Sequence, residues 1–317
     1  MANPMTSAPL VAQAITQATA LGLDRLDAQW LLLHTLGKPP SGRAWLLAHD
    51  TDVLTPAQHS DFLALTVRRT AGEPVAYLTG HQGFFGLDLK VDHRVLVPRP
   101  DTESLVEWAL EILDELTPLS VRAKHVEAST HKPLTAIDLG TGSGAVALAI
   151  KHNRPDVRVH ATDFSTDALA VARGNAQRLH LDVEFNQGSW LGRVEGCFDL
   201  IVSNPPYIAA LDPHLAALEH EPLQALTSGT DGLDDLRQII HQAPAHLPAG
   251  GWLLLEHGYD QAARVRELLG QAGFTQVQSR HDLAGIERCS GGTLASPRFA
   301  KVQRNPTEAE IIEGFLN

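Results

Sequence analysis

The sequence contains few cysteines and no long apolar run, and each absence excludes a class of protein. Its 317 residues include only two cysteines, Cys197 and Cys289. This count excludes a disulfide framework and makes the reducing cytoplasm the expected compartment. No stretch reaches the length of about 18 apolar residues that a membrane-spanning helix needs. The first basic residue is Arg25, so the N-terminus lacks the charged start of a secretory signal. We therefore expect a cytoplasmic protein with no membrane partner.

Basic residues are also few. Lys and Arg number 25 against 37 Asp and Glu, which gives a formal charge of −12. Proteins that hold extended nucleic acid neutralise its phosphates with clustered Lys and Arg. We therefore expect no stable nucleic-acid partner, although the composition is compatible with a local basic groove. The sixteen histidines are scattered without the spacing of a metal site, so no metal is expected.

Helical periodicity dominates the first part of the chain. Apolar residues recur at helical spacing from Leu10 to about Leu78, and Thr55 followed by Pro56 is typical of a helix start. With 44% hydrophobic residues, a chain of this length can bury an ordinary core. These patterns predict a small helical domain over residues 1–83.

A β-hairpin and an amphipathic helix are predicted next. Within Phe84–Val91, apolar and polar side chains alternate after Gly86, and a short apolar run at 95–97 follows a polar turn. This pattern predicts a hairpin over residues 84–98. The following helix is predicted to begin within residues 99–103, with Asp101 or Thr102 as its cap. Residues 117–133 are polar and aperiodic, which predicts a loop.

Beyond that loop, short apolar runs alternate with helical stretches. Strands are predicted at 135–139, 157–161, 200–202 and 252–255, and helices at 145–151, 167–180 and about 233–243. Such alternation predicts an α/β fold with a parallel sheet and helices on both faces. We assign it to a domain over residues 99–300. The polar tail at 301–317 is given no function.

A glycine-rich loop directly follows the first of these strands. Glycines there let the backbone turn tightly and approach a ligand, and the free N–H groups at the start of the next helix favour an anionic group. Asp163 ends the next strand, where a carboxylate can accept hydrogen bonds from both hydroxyls of a ribose. The pattern predicts an adenosine-containing cofactor, and on these residues alone NAD stays possible. The loop consists of Gly140, Thr141, Gly142, Ser143 and Gly144.

The strand at 200–202 leads into Asn204-Pro205-Pro206-Tyr207, at the sheet edge where α/β proteins bind ligands. The Asn204 side-chain oxygen and the Pro205 carbonyl are two acceptors that can bind both N–H donors of a planar amino group. The two prolines stiffen the bend, and Tyr207 offers a flat face for stacking. With both N–H bonds held, the nitrogen lone pair can point at an electrophilic methyl carbon. No strong general base is needed, because the proton can leave after the C–N bond begins to form.

Together these motifs resemble the class I methyltransferases that use S-adenosylmethionine, and more closely the bacterial peptide chain release factor glutamine methyltransferases. The resemblance covers roughly residues 27–293. It implies a Rossmann-like, mixed and mostly parallel seven-stranded sheet, with a small all-α N-terminal domain joined by a β-hairpin. The residues that carry it are Gly72–Gly80, Val97–Glu103, Asp138–Gly144, Asn204–Tyr207, Glu221–Leu223 and Leu254–Gly258.

The resemblance also implies roles for individual residues. The loop at 140–144, Asp163 and Trp190 would hold S-adenosylmethionine, which leaves as S-adenosylhomocysteine, and Asn204 would border both the cofactor and the substrate. The bend at 204–207 would bind the side-chain amide of the Gln in the Gly-Gly-Gln tip of release factors, with Asn204, Pro205 and Tyr207 as its catalytic residues. The helical domain would help to dock that protein. Arg99, Asp101 and Glu103 would border the active site.

Two other interpretations stay open on the sequence. The same four-residue bend suits an exocyclic amine of adenine or guanine in nucleic acid, although the negative charge favours a protein substrate. A non-catalytic module that binds the cofactor and docks on ribosomal factors is the second, although both motifs are intact. The sequence does not indicate the preferred release factor, further protein substrates or the oligomeric state.

Overall fold

The structure is a computed structural model that describes residues 9–117, 132–282 and 284–295. Most of the predicted loop at 117–133 and the whole tail at 301–317 lie outside the described residues. None of the helices within the described ranges is long and apolar enough to cross a membrane.

The N-terminal region is helical, as predicted. Thr55 begins the fourth helix, where its hydroxyl accepts a hydrogen bond from the Gln58 amide at 3.2 Å. The helices share an apolar core that includes Leu31, Leu32 and Phe62, all fully buried. They are α1 Val11–Ala20, α2 Arg25–Thr35, α3 Arg43–Ala48, α4 Pro56–Thr70 and α5 Val75–Thr79.

The hairpin lies earlier in the chain than predicted. It pairs β1, His81–Phe84, with β2, Leu87–Lys90, through a two-residue turn in which Phe85 and Gly86 both have positive φ. Such a turn matches the twist of the two strands. Residues 95–97, predicted as the second strand, form no strand. Their backbone groups bond to side chains instead, because Tyr77 donates to the Val95 carbonyl at 2.5 Å and Glu221 accepts from the Val97 amide at 3.0 Å.

The next helix, α6, spans Glu103–Leu116 and follows a short 3-10 turn. It buries the predicted apolar face, with Leu105, Trp108 and Leu113 almost fully covered. The predicted side-chain cap is wrong, since Thr102 occupies the cap position without a hydrogen bond to the helix. Its hydroxyl accepts from Asn204 instead.

A seven-stranded sheet forms the centre of the remaining chain, in the order β5-β4-β3-β6-β7-β9-β8. The first five strands in this order are parallel, and β9 is antiparallel to both of its neighbours. The mixed, mostly parallel seven-stranded sheet is confirmed. The strands are β3 Thr135–Leu139, β4 Arg158–Asp163, β5 Val183–Gln187, β6 Leu200–Ser203, β7 Trp252–Glu256, β8 Phe274–His281 and β9 Glu287–Leu294.

Helices cover both faces of the sheet and bury two apolar cores. One face carries α6, α7 (Ala145–Asn153), α8 (Thr166–Leu179) and the hairpin, and the other carries α9 (Asp234–Gln242) and α10 (Ala262–Gln271). Strand β3 pairs with β4 on one side and with β6 on the other. The chain connections therefore run toward opposite edges of the sheet on the two sides of the β3–β6 pair. This reversal leaves a crevice at the carboxyl ends of the strands, a topological switch point at which such sheets usually bind their ligands.

Candidate active site

A cavity of about 240 Å³ lies at this switch point. Residues that follow β3, β4 and β6 contribute to its wall, because the carboxyl ends of these parallel strands meet at one edge of the sheet. Six of the residues predicted from sequence line the cavity: Gly140, Gly142, Asp163, Trp190, Asn204 and Pro206.

The glycine-rich loop turns closely against its surroundings. Gly140 and Gly142 have φ values of +70° and +57°, a region that side chains disfavour. A Cβ atom on Gly140 would lie 3.0 Å from the Trp190 ring. Glycine at this position therefore serves both the turn and the approach of the tryptophan to the loop.

Asp138 holds the loop from inside the sheet. Its Oδ2 accepts hydrogen bonds from the Thr141 hydroxyl at 2.6 Å and the Ala147 amide at 3.2 Å. Burial raises the pKa of this carboxyl to about 7, although both hydrogen bonds oppose the shift. Thr141 and Ser143 are buried, and among the described residues they stand behind the cavity wall. Their binding to the cofactor stays a prediction.

Asp163 connects the loop to the end of β4. Oδ2 accepts from the Gly142 amide and Oδ1 from the Ser165 amide, both at 2.8 Å. Burial raises the pKa of the carboxyl group, and these backbone amides oppose that shift. Each carboxylate oxygen has a second lone pair, so the group can still accept hydrogen bonds from a ligand in the cavity.

Trp190 lies in the segment between β5 and β6. Its indole N–H donates to Asp235 at 3.1 Å, and its ring packs partly against the core on the α9 side. The same ring lines the cavity. Trp190 therefore packs against the core and also forms part of the cavity wall.

The Asn-Pro-Pro-Tyr bend follows β6 directly. Ser203 fixes the end of the strand, since its hydroxyl donates to the Leu139 carbonyl at 2.7 Å. Asn204 lines the cavity and donates from Nδ2 to the Thr102 hydroxyl at 3.1 Å. Pro206 lines the cavity next to it, whereas Pro205 is buried. The amide oxygen of Asn204 is thereby left for a partner other than Thr102.

Tyr207 is the last residue of the bend. Its hydroxyl donates to Oε1 of Glu256 at 3.3 Å, and its carbonyl accepts from Gln261 at 3.0 Å. Burial and the neighbouring Glu256 carboxyl raise the pKa of the phenol. Stacking of this ring on a substrate amide stays a prediction, because the ring is not part of the cavity wall among the described residues.

Arg99, Asp101 and Glu103 bind three different segments near the cavity. Arg99 pairs with the buried Glu221, and Asp101 lies 3.4 Å from Arg288. Glu103 accepts from the backbone amide of the hairpin turn at 2.8 Å. These contacts position the surrounding loops, and a direct role at the active site stays a prediction.

Several residues of this region were not predicted from sequence. Glu256 is the last residue of β7, which pairs with β6. The sequence feature that could have identified it is a carboxylate at the carboxyl end of a strand next to the Asn-Pro-Pro-Tyr strand. Burial raises the pKa of Glu256 to about 7, and the hydrogen bond from Tyr207 opposes this shift. Residues in loops of ordinary composition gave no signal. Those that line the cavity include Arg94, Phe164 and Gly188, and the helical residues Gln224 and Asp235 also line it without a signal in the sequence.

Two family models match the chain. The PrmC N-terminal domain model matches residues 10–80, and the methyltransferase small domain model matches residues 121–280. A crystal structure of the hMettl16 catalytic domain in complex with a 3′UTR hairpin has a similar fold. Its TM-score is 0.52 at 15% identity, over 76% of this chain and 82% of that one. At this identity the likeness shows the fold alone.

Curated relatives match over most of the chain. The release factor glutamine methyltransferase of Bordetella pertussis is 49% identical over 277 residues, which cover 86% of this chain and 96% of the relative. The protein of the same name from Pseudomonas aeruginosa is 47% identical, over 86% of this chain and 93% of the relative. From this identity and coverage we conclude that the chain belongs to the release factor glutamine methyltransferase family.

Proposed function

We propose that this protein transfers a methyl group from S-adenosylmethionine to the side-chain amide nitrogen of the Gln in the Gly-Gly-Gln motif of peptide chain release factors. The names of its relatives support the release factor as substrate. One observation of the structure carries the proposal: Asn204, the expected amide-binding residue, lines the same cavity as the glycine-rich loop and Asp163.

The residues around the cavity fit the proposed cofactor, which supplies an electrophilic methyl group on a sulfonium. Asp163 keeps lone pairs free for ribose hydroxyls, and its carboxylate stays fixed by two backbone amides. Gly140 and Gly142 let the backbone approach a ligand closely. Trp190 closes one side of the cavity with an apolar ring. This chain therefore offers both the polar and the apolar contacts that an adenosine needs.

The bend at 204–207 would hold the substrate. Oδ1 of Asn204 and the carbonyl oxygen of Pro205 would each accept a hydrogen bond from one N–H of the Gln amide, which fixes the plane of that amide. The prolines restrict the backbone, so that the acceptors need little reorganisation. Holding the nitrogen in line with the methyl carbon lowers the barrier by up to about 7–11 kcal/mol in well-oriented systems.

The remaining segments are given roles that follow from this proposal. The helical region at 1–83 would dock the release factor, the segment at 84–98 would link it, and residues 99–300 would form the catalytic domain. The helical region exposes Leu47, with 72% of its surface accessible, and Val67, with 63%, on different helices. Leu47 borders a surface groove between α2 and α3.

This docking role predicts that Leu47→Glu raises the KM for the release factor about 5- to 10-fold, as expected when an interface residue worth about 1 kcal/mol is lost. Affinity for S-adenosylmethionine should not change. Val67→Glu is the matched control on α4, away from the groove. Equal KM values for both variants would contradict docking through the groove.

The proposed function is tested with methyl-labelled S-adenosylmethionine. The protein is incubated with a purified release factor, with the same factor carrying Ala in place of the motif Gln, or with nucleic acid. We expect label on the unaltered factor alone, and mass mapping should place one methyl group on the motif Gln. Label on nucleic acid and not on the factor would reject the proposal in favour of the nucleobase alternative.

A further inference from the structure

Glu221 is a buried carboxyl group in the segment that follows the Asn-Pro-Pro-Tyr bend. Only 3% of its side chain is accessible. A buried carboxylate is unfavourable unless donors or an opposite charge surround it. Its two partners, Val97 and Arg99, lie 124 and 122 residues earlier in the chain. Glu221 therefore joins two segments that are distant in sequence.

Both oxygens of Glu221 are used in this connection. Oε2 accepts from the backbone amide of Val97 at 3.0 Å, and Oε1 forms an ion pair with the Arg99 guanidinium. Val97 is buried and belongs to no strand, so the Glu221 side chain takes the place of a neighbouring strand as the partner of its amide. Without this acceptor the amide would be an unpaired buried donor.

Both of the joined segments form part of the cavity wall. Residues 94–96 line the cavity directly before Val97, and Pro222, Gln224 and Ala225 line it directly after Glu221. These wall residues belong neither to the glycine-rich loop nor to the bend at 204–207. Glu221 therefore holds together the part of the wall to which neither motif contributes.

The same two segments contact the helical region. Tyr77 on α5 donates to the Val95 carbonyl at 2.5 Å. Nε2 of His220, next to Glu221, lies 3.1 Å from the carbonyl oxygen of Ala71, which follows α4. This part of the wall thus connects the region that would dock the release factor with the cavity that contains Asn204.

The residues expected to hold the cofactor are fixed by separate contacts. Asp163 accepts from the Gly142 amide, and Trp190 donates to Asp235. Among the described residues, the side chain of Glu221 forms hydrogen bonds with Val97 and Arg99 alone. A change at Glu221 should therefore affect the wall and leave the cofactor contacts unchanged.

We propose that Glu221 is a positioning residue for the protein substrate, which holds residues 94–97 and 222–225 together as one wall that keeps the Gln side chain beside Asn204. Precise placement of the reacting nitrogen is a large part of the rate in reactions of this kind. The inference rests on the proposed function for its catalytic consequence, whereas the connection itself requires no substrate.

The main test is Glu221→Gln, which keeps the size and an acceptor for the Val97 amide but removes the charge that pairs with Arg99. We expect kcat for release factor methylation to fall roughly tenfold. The dissociation constant of S-adenosylmethionine should stay within about twofold of the wild type. A higher KM for the release factor at unchanged kcat would place Glu221 in docking alone, and weaker cofactor binding would assign the wall to the cofactor. Either result would overturn the inference.

Substitutions of Arg99 test the other half of the pair. Arg99→Lys keeps a positive charge for Oε1 and should retain most of kcat, whereas Arg99→Met should lose as much as Glu221→Gln. The double variant Glu221→Gln/Arg99→Met should be no slower than the slower single variant, because both act through one pair. Additive losses, or equal losses in the lysine and methionine variants, would overturn the inference.

Glu287→Gln is the matched control. Glu287 on β9 pairs with Arg266 at 2.7 Å and lies outside the cavity wall that the described residues form. This variant also removes one glutamate from an arginine pair, and it should keep the wild-type kcat. A loss as large as that of Glu221→Gln would show that any such pair affects turnover through general stability, and would overturn the inference.

Hydrogen exchange of the Val97 amide tests the connection without a release factor. The amide should exchange slowly in the wild type and at least about tenfold faster in Glu221→Leu. The Gly142 amide, which bonds to Asp163, should exchange equally in both. Fast exchange of Val97 in the wild type, or equally slow exchange in both proteins, would overturn the inference even if methylation is observed. The expected exchange pattern in a protein that does not methylate release factors would reject only the proposed function.

Discussion

At the residue scale, the proposed chemistry depends most directly on Asn204. We expect Asn204→Ala to retain cofactor affinity, because Asp163 and the glycine-rich loop are unchanged. Turnover should fall about 5- to 150-fold, since losing one buried acceptor costs about 1–3 kcal/mol. Calorimetric titration with S-adenosylmethionine and steady-state methylation of a release factor check the two parts separately.

Asn153→Ala is the control for that substitution. Asn153 ends α7, and its side chain donates to the Ala149 carbonyl within the same helix. Replacing it should leave both cofactor affinity and turnover at wild-type values. Wild-type turnover in Asn204→Ala would remove Asn204 from the catalytic residues.

Asp138 gives a prediction about stability against pH. Its pKa is raised from 3.8 to about 7 by burial, so the folded state binds a proton more tightly than the unfolded state. The contribution of this group to stability is therefore full below its unfolded pKa and is lost as pH rises through the folded pKa. Urea unfolding at about pH 5 and about pH 8 should show a decline in the wild type that is smaller in Asp138→Asn.

The difference between the two proteins is the quantity to compare. Glu256 has a pKa raised in the same direction, and it contributes equally to the wild type and to Asp138→Asn. Identical pH slopes in the two proteins would contradict the raised pKa of Asp138. Asp163 is the charged neighbour that favours the protonated form of Asp138.

At the scale of the elements, Asn175 on α8 joins the hairpin to the glycine-rich loop. Its Oδ1 accepts from the Lys90 amide at 2.8 Å, and its Nδ2 donates to the carbonyls of Lys90 and Ser143 at 2.9 and 3.0 Å. The residue is fully buried. Asn175→Leu should lower the free energy of unfolding by about 2–4 kcal/mol, because it leaves buried backbone groups unpaired.

The same substitution should also weaken cofactor binding, since Ser143 belongs to the glycine-rich loop. Denaturant unfolding and cofactor titration measure the two effects. Asn175→Asp keeps an acceptor for the Lys90 amide but would bury a carboxylate against the carbonyls of Lys90 and Ser143, so it should cost at least as much stability as leucine. If Asn175→Leu unfolds at the wild-type denaturant concentration, Asn175 does not support the hairpin.

The sequence predicted some elements of the fold well for a physical reason. Strands β3, β6 and β7 are buried on both faces, so their apolar runs are continuous and easy to recognise. Strand β5 is an edge strand with mostly exposed side chains, and its sequence gave no such run. Strand β9 contains Gly291, where a Cβ would lie 2.5 Å from the Leu253 carbonyl. A close approach of this kind depends on the partner strand and cannot be read locally.

In the candidate site, too, the sequence predicted the local motifs and missed the contacts between distant segments. The glycine-rich loop, Asp163 and Asn204 are local motifs, and the structure brings them to one cavity. Thr102 was predicted as a helix cap because its local sequence suits one. Its actual partner, Asn204, is 102 residues away in the chain. Contacts between distant segments decide such roles, and a single sequence carries no signal for them.

At the scale of the whole molecule, the fold does not identify the partner, whereas the net charge favours one class of partner over another. The hMettl16 catalytic domain has a similar fold and was crystallised with a 3′UTR hairpin, yet the present chain carries a formal charge of −12. A fold hosts many functions, whereas binding of a polyanion requires positive charge on the protein. The charge and the curated relatives both favour a protein substrate.

This contrast leads to a prediction about salt. We expect an RNA hairpin or duplex DNA at low ionic strength neither to bind this protein measurably nor to inhibit methylation of a release factor. Fluorescence anisotropy of a labelled hairpin across a salt series measures the first, and initial rates with added competitor measure the second. If a hairpin binds and the logarithm of its affinity falls linearly with the logarithm of salt concentration, the protein contacts phosphates. Inhibition of methylation with the same salt dependence would place the polyanion at the release factor site.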